Sequence, residues 1–167
     1  MQRLLMLSFT LALLPSLCGG GPAYETFRSG ILGVPWGATL DDVVGVYPNG
    51  DHVFAVTPGH RAYWVKDGQP FLSVPRERNG VLYGFDENNR VAIVAVAFEF
   101  ERKVELRNVL TSLLGPPRLA PPSGQKVQYG WQPEAGMAVS VTEFGLPHQQ
   151  IIWLVVRAPG YKGATNE

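Results

Sequence analysis

The run Val91 to Phe98, VAIVAVAF, constrains this chain more than any other stretch. A half-exposed strand alternates apolar and polar residues. A valine-rich run without that alternation demands cover on both faces, or one deeply buried face. Asp86-Glu87-Asn88-Asn89 stands just before it. Because Asn tolerates positive φ, this cluster predicts a short hairpin loop. Val81, Tyr83 and Phe85 alternate on the way in, which predicts an antiparallel partner strand. Beyond the run, Leu106, Val109, Leu110, Leu113 and Leu114 recur at helical spacing, with Arg102, Lys103, Glu105, Arg107 and Asn108 on the other side. Gly115 and Pro116-Pro117 end that helix, glycine as a left-handed cap and proline as a stop.

The rest of the chain supplies further elements of the same kinds. Thr39 with Asp42 three residues on is a capping box, and Leu40, Val43, Val44 and Tyr47 follow as an apolar stripe ended by Pro48-Asn49-Gly50. Tyr24 to Gly33 reads as a first strand or lead-in. His52 to Thr57, Ala62 to Lys66 and Pro70 to Val74 have strand character, separated by the turn signals Pro58-Gly59 and Asp67-Gly68. Arg76 to Gly80 reads as a polar loop, and Leu119 to Gly124 as a Pro-rich surface connection. Val127, Tyr129 and Trp131 alternate, as do Met137, Val139 and Val141, and Ile151 to Val156 is a second continuous apolar strand. The 167 residues, 46% of them hydrophobic and rich in Gly and Pro, fit one strand-rich α+β domain: antiparallel sheet with two packing helices. The domain spans 24–157, and 158–167 reads as a flexible tail. Helix-then-strands occurs twice, in 33–100 and 102–156. Duplication of one helix-then-meander unit is one explanation, and chance likeness between amphipathic helices is the other.

The amino terminus supplies an address. Arg3 precedes an apolar run from Leu4 to Leu14, too short for a bilayer span of roughly 20 residues, with Pro15 and Gly19-Gly20-Gly21 after it. That pattern predicts an export signal over 1–20, with its boundary between 17 and 23. The mature chain is then periplasmic or secreted. Cys18, the only cysteine, is a candidate lipidation site, although bulky Leu17 precedes it. A membrane is a partner only if Cys18 carries a lipid, which would make the chain an outer-membrane lipoprotein. With one cysteine the chain contains no internal disulfide.

The phrase Pro35-Trp36-Gly37, with Thr39-Leu40 and Asp42-Val43, resembles the opening of many small bacterial envelope proteins. So do the Leu113-Leu114-Gly115 helix ending and the Tyr129-Gly130-Trp131 strand. The order of elements is similar to that of BamE-like and β-lactamase-inhibitor-like proteins, in which a helical segment leads into an antiparallel sheet. The resemblance implies architecture alone. The paired cysteines that stabilise the β-lactamase inhibitor are absent here, and no functional residue carries over.

Chemistry-bearing motifs are missing: there is no Gly-x-Ser-x-Gly elbow, phosphate-cradling loop, His-Glu-x-x-His or Cys-x-x-Cys. Neutral formal charge gives no basic field for nucleic acid. His52, His60 and His148 match no metal-ligand spacing, and they read as surface or turn residues. Asp41 and Asp42 are adjacent, but neighbours on a helix diverge, and Asp42 is taken by the cap. Arg76-Glu77-Arg78 reads as a solvated stretch rather than an anion site. The aromatics Trp36, Tyr63, Trp64, Phe71, Tyr129, Trp131 and Trp153 exceed what two helices can cover. Tyr63 and Trp64 must face opposite sides of a strand. A binding surface is therefore expected among Trp36, Tyr63, Trp64, Phe71 and Trp131. The expected function is an exported, non-catalytic envelope protein that binds another macromolecule and needs no cofactor. Two alternatives stand beside it: a small-ligand protein or hydrolase built on Asp41, Asp51, His52 and His60, and an inhibitor of a foreign enzyme.

Overall fold

The computed structural model describes residues 22–54, 61–77, 80–121, 126–132, 136–146 and 149–161. These residues form a sheet of eight antiparallel strands whose order follows from two meanders laid side by side. The first meander comprises β3 (Asp51–Phe54), β4 (Arg61–Val65), β5 (Val81–Phe85) and β6 (Val91–Glu99). The second comprises β7 (Arg118–Leu119), β8 (Lys126–Trp131), β9 (Ala138–Leu146) and β10 (Gln149–Arg157). They join through β6 and β10, giving the order β3-β4-β5-β6-β10-β9-β8-β7. Helix α2 (Leu40–Val46) precedes the first meander and α3 (Lys103–Leu114) the second. The architecture is α+β.

Local chemistry explains the elements. The predicted box starts α2: Thr39 Oγ1 accepts from the Asp42 amide at 3.2 Å, and Asp42 Oδ2 accepts from the Thr39 amide at 2.8 Å. The β5–β6 hairpin turns where predicted. Asp86 Oδ1 accepts from the Asn88 and Arg90 amides, while Asn89 takes φ +56. Gly115 ends α3 at φ +79, and its amide donates to the Thr111 carbonyl.

Three local readings change. Residues 24–33 contain a helix, α1 (Pro22–Arg28), followed by a tight two-residue ladder of β1 (Gly30–Ile31) and β2 (Val34–Pro35). A seven-residue helix is too short to persist alone. This one is anchored by fully buried Phe27, whose carbonyl accepts from the Trp36 indole at 2.7 Å. Pro70 to Val74 is a turn, not a strand. Phe71 and Val74 bridge each other around Leu72 and Ser73, both at positive φ. Ala158 is not tail either: it follows β10 directly, is buried, and donates its amide to the Ala92 carbonyl. Residues 162–167, Cys18 and the export signal lie outside the described residues, as does Pro58-Gly59.

The three helices lie over one face of the sheet. Leu106 and Leu110 of α3, Val43 of α2 and Phe27 of α1 share one core with Tyr63, Val65, Val81, Tyr83, Val94, Val96, Phe98, Ile152, Leu154 and Val156. Tyr47, at the end of α2, stacks 6.1 Å from Tyr83 and accepts at its carbonyl from the Tyr63 hydroxyl. Arg107 of α3 lies over the Tyr129 ring and donates to its hydroxyl at 2.8 Å.

Candidate binding face

Side chains alternate across a strand, so the register of the ladders fixes what the opposite face carries. One row runs straight across all eight strands: Asp51, Trp64, Leu82, Ala95, Val155, Ser140, Gly130, Arg118. The next row on one side holds Ala97, Trp153, Thr142 and Gln128. The next on the other holds Ala62, Gly84, Ile93, Arg157 and Ala138. Trp64, Leu82, Ile93, Ile151, Trp153 and Val155 neither belong to the core nor pack against it. All six are intermediate in exposure. Among the described residues no helix lies over them.

The unbroken apolar run acquires its explanation here. Val91, Val94, Val96 and Phe98 face the helices, and a register irregularity at Gly84/Phe85 shifts the alternation near the start of β6. The other face of the same strand carries Ile93, Ala95 and Ala97. Ala97 is only 1% exposed although no second layer covers it among the described residues. Its cover is lateral. Trp64 and Trp153 sit on strands three spacings apart, roughly 14 Å at the backbone. Their rings nevertheless meet edge to face, with centroids 6.1 Å apart. Ala95 and Ala97, the small open-face residues of β6, leave room for the two indoles to meet.

The aromatic residues expected to form one surface are divided between environments. Tyr63 (2% exposed), Phe71 (9%) and Trp131 (4%) are buried on the helix side. Tyr63 donates its hydroxyl to Tyr47, and Trp131 donates its indole N–H to the Gly115 carbonyl at 2.9 Å. Trp36 packs against the core and serves α1. Of the five, Trp64 alone lies on the open face. Its companion there, Trp153, belongs to the surplus of aromatics, and periodicity does not bring it to Trp64 because sequence does not specify which strands pair.

The acid–base candidates do not converge. Asp51 and His52 are consecutive on β3 and so face opposite sides of the sheet. Asp51 pairs with Lys66 at 2.6 Å, while the His52 ring sits edge-on to Tyr63. Asp41 is exposed on α2. Asp42 is bound into the cap, and the Thr39 hydroxyl and amide that it accepts from hold its carboxyl below the ordinary value. His60, His148 and Arg78 lie outside the described residues. Among the described residues no group of three or more His, Cys, Asp or Glu stands close enough to hold a metal ion.

Arg76 corrects the reading of its stretch as solvated. Its side chain is fully buried, bonded to the Asp67 carbonyl and, at 2.7 Å, to the Asp67 carboxylate. The pair ties the 66–70 loop to the segment leading into β5. Among the described residues no helix is long and apolar enough to cross a membrane. Comparison with protein-family models, with curated proteins and with solved structures gives no match to this chain.

Proposed function

We propose that this chain is an exported, non-catalytic envelope protein that binds another protein through the open face of its sheet. The observation that carries this reading is the contrast within β6. One side is sealed by helices, while the other presents Ile93 and the Trp64–Trp153 pair with no described element over them. Contiguous apolar surface of this kind, with aromatics at its centre and charged residues at its ends, is the composition of a protein interface. Export rests on Arg3 and the Leu4–Leu14 run. The scattering of Asp41, Asp51 and His52 weakens the hydrolase alternative. An inhibitor of a foreign enzyme is the same reading with a different partner. The order helix, then four strands, occurs in both halves and is what duplication of one unit would leave. Superposition of β3–β6 on β7–β10 would test that origin.

The binding reading is tested by placing a photo-crosslinking residue at position 93 or 153 on the open face, and at 104 on the exposed side of α3. Irradiation of producing cells should give the same adduct, identified by mass, from 93 and 153 but not from 104. Adducts from all three positions alike, or none from 93 and 153, would overturn the reading. An adduct of twice the chain's own mass would replace it with self-association.

A further inference from the structure

We infer that the β7–β10 end of the open face is a docking site for an acidic segment of the partner protein, one that inserts a carboxylate between Arg118 and Arg157. This deepens the reading of the open face as a protein-binding surface and rests on it. Both arginines line one depression of about 330 Å³, with Gln128, Gly130 and Ser140 between them and no Asp or Glu on its walls. Gly130 leaves the middle of the depression open. A Cβ built there would meet nothing nearer than the Arg118 carbonyl at 3.9 Å.

Charge bookkeeping across the face points the same way. Two of its acidic members are matched locally: Asp51 by Lys66 at 2.6 Å and Glu99 by Arg102 at 3.9 Å. Its cations at the far end, Arg118, Lys126 and Arg157, have no ion pair among the described residues. The face is therefore apolar at its centre, neutralised on the β3 side and uncompensated positive on the β7 side. A partner complementary to it carries an apolar group for Trp153 and Val155 and carboxylates two strands away. Guanidinium forks flanked by a hydroxyl and a side-chain amide suit a planar carboxylate, which they can bind in bidentate fashion. The strand amides beneath are committed to the ladders, so the backbone offers no anion cradle of its own. A recessed site also suits an inserted side chain better than the flat surface of an anionic bilayer.

The test uses the chain as recovered after export, followed by amide and side-chain NMR shifts. Two short peptides serve as probes: one carries two leucines beside two adjacent glutamates, and the other is its glutamine isostere. The acidic peptide should shift β7–β10 signals and bind about tenfold more tightly than the isostere. R118Q, R157Q or 0.5 M salt should remove that tenfold difference. Gly130→Val, which narrows the depression while suiting a strand, should weaken acidic-peptide binding without lowering the melting temperature. Equal affinity for both peptides, weakened alike by Trp153→Ala, would overturn the acidic assignment and leave the open-face reading intact. No shift with the acidic peptide at millimolar concentration would overturn it as well, and the crosslinking result then decides the broader reading separately. Inorganic phosphate displacing the peptide at low millimolar concentration would make this a small-anion site instead. Phosphatidylglycerol vesicles that bind through the same arginines, with no response to the peptide, would make it a membrane contact.

Discussion

Two neighbouring rows of the sheet differ by one residue along every strand, yet they meet opposite surroundings. On the helix-covered side, one row reads Val65, Val81, Val96, Leu154, Val141, Tyr129. Its members are aliphatic or aromatic and uncharged, as burial beneath helices favours. On the open side the row reads Asp51, Trp64, Leu82, Ala95, Val155, Ser140, Gly130, Arg118. That row is graded, with small residues flanked by large ones and opposite charges at its ends. Apolar character alone therefore does not mark a core. On the packed side helices close over the row and buried polar groups find partners, Arg76 in Asp67 and the Trp131 indole in the Gly115 carbonyl, whereas the open row ends in Arg118, a cation with no ion pair among the described residues.

The contrast is broken most directly by truncating one side chain from each face. Phe98 is fully buried beneath the helices, and Phe98→Ala should cost about 3–5 kcal/mol in urea unfolding. Trp153→Ala removes a larger ring from the open face but should cost less, about 2 kcal/mol, because that ring is only partly shielded from water in the folded state. Equal costs would mean that the open face is packed as tightly as the core. A second large effect is expected where the covered side is closed by charge. Arg76→Met removes the buried partner of Asp67 and should cost about 3 kcal/mol by the same measurement, near the low end for a broken buried pair because Asp67 keeps some water contact. Asp67→Asn, which keeps an acceptor, should cost less.

Sequence periodicity reached the strands and helices but not the faces, and particular residues show why. The capping box of α2, the Asp86–Asn89 turn and the Gly115 stop rest on interactions within four residues, so they are legible without tertiary knowledge. Trp131 alternates with Tyr129 in a way that is equally compatible with either side of a sheet. Its burial depends on an acceptor at Gly115, sixteen residues away. Arg76 looks like a loop cation until Asp67 is placed against it. Trp64 and Trp153 become a pair, and Arg118 and Arg157 share one depression, only once β6 is known to join β10.

A smaller effect separates the faces by pH. Burial pushes the Tyr83 phenol well above its ordinary value, and it pushes Tyr47 upward too. A raised folded-state value means that the neutral phenol is favoured by folding. This stability is fully present below about pH 10 and is lost as the pH climbs beyond it, because the unfolded chain gives up the proton first. Urea midpoints of the wild type should therefore fall above pH 10. Tyr83→Phe forfeits the hydroxyl's 3.1 Å bond to the Ile31 carbonyl, about 1 kcal/mol at neutral pH, and should show a shallower alkaline decline. Open-face variants should leave that decline unchanged.

A comparably small effect belongs to α2, which serves the covered face alone. Thr39→Ala removes the hydroxyl that satisfies the Asp42 amide and should cost about 1 kcal/mol, with Thr39→Ser restoring most of it. The pH dependence has the opposite sign to that of Tyr83. Asp42 is held below 3.8 by the Thr39 hydroxyl and amide, so its contribution is present above that value and is lost as acid protonates the folded carboxylate. Thr39→Ala should flatten this acid-side loss. Because α2 touches only the helix-covered side, binding at the open face should be the same in Thr39→Ala as in the wild type. If binding weakened in step with the cap, the two faces would be coupled through the sheet, and the open face would not be the independent surface that its row of side chains implies.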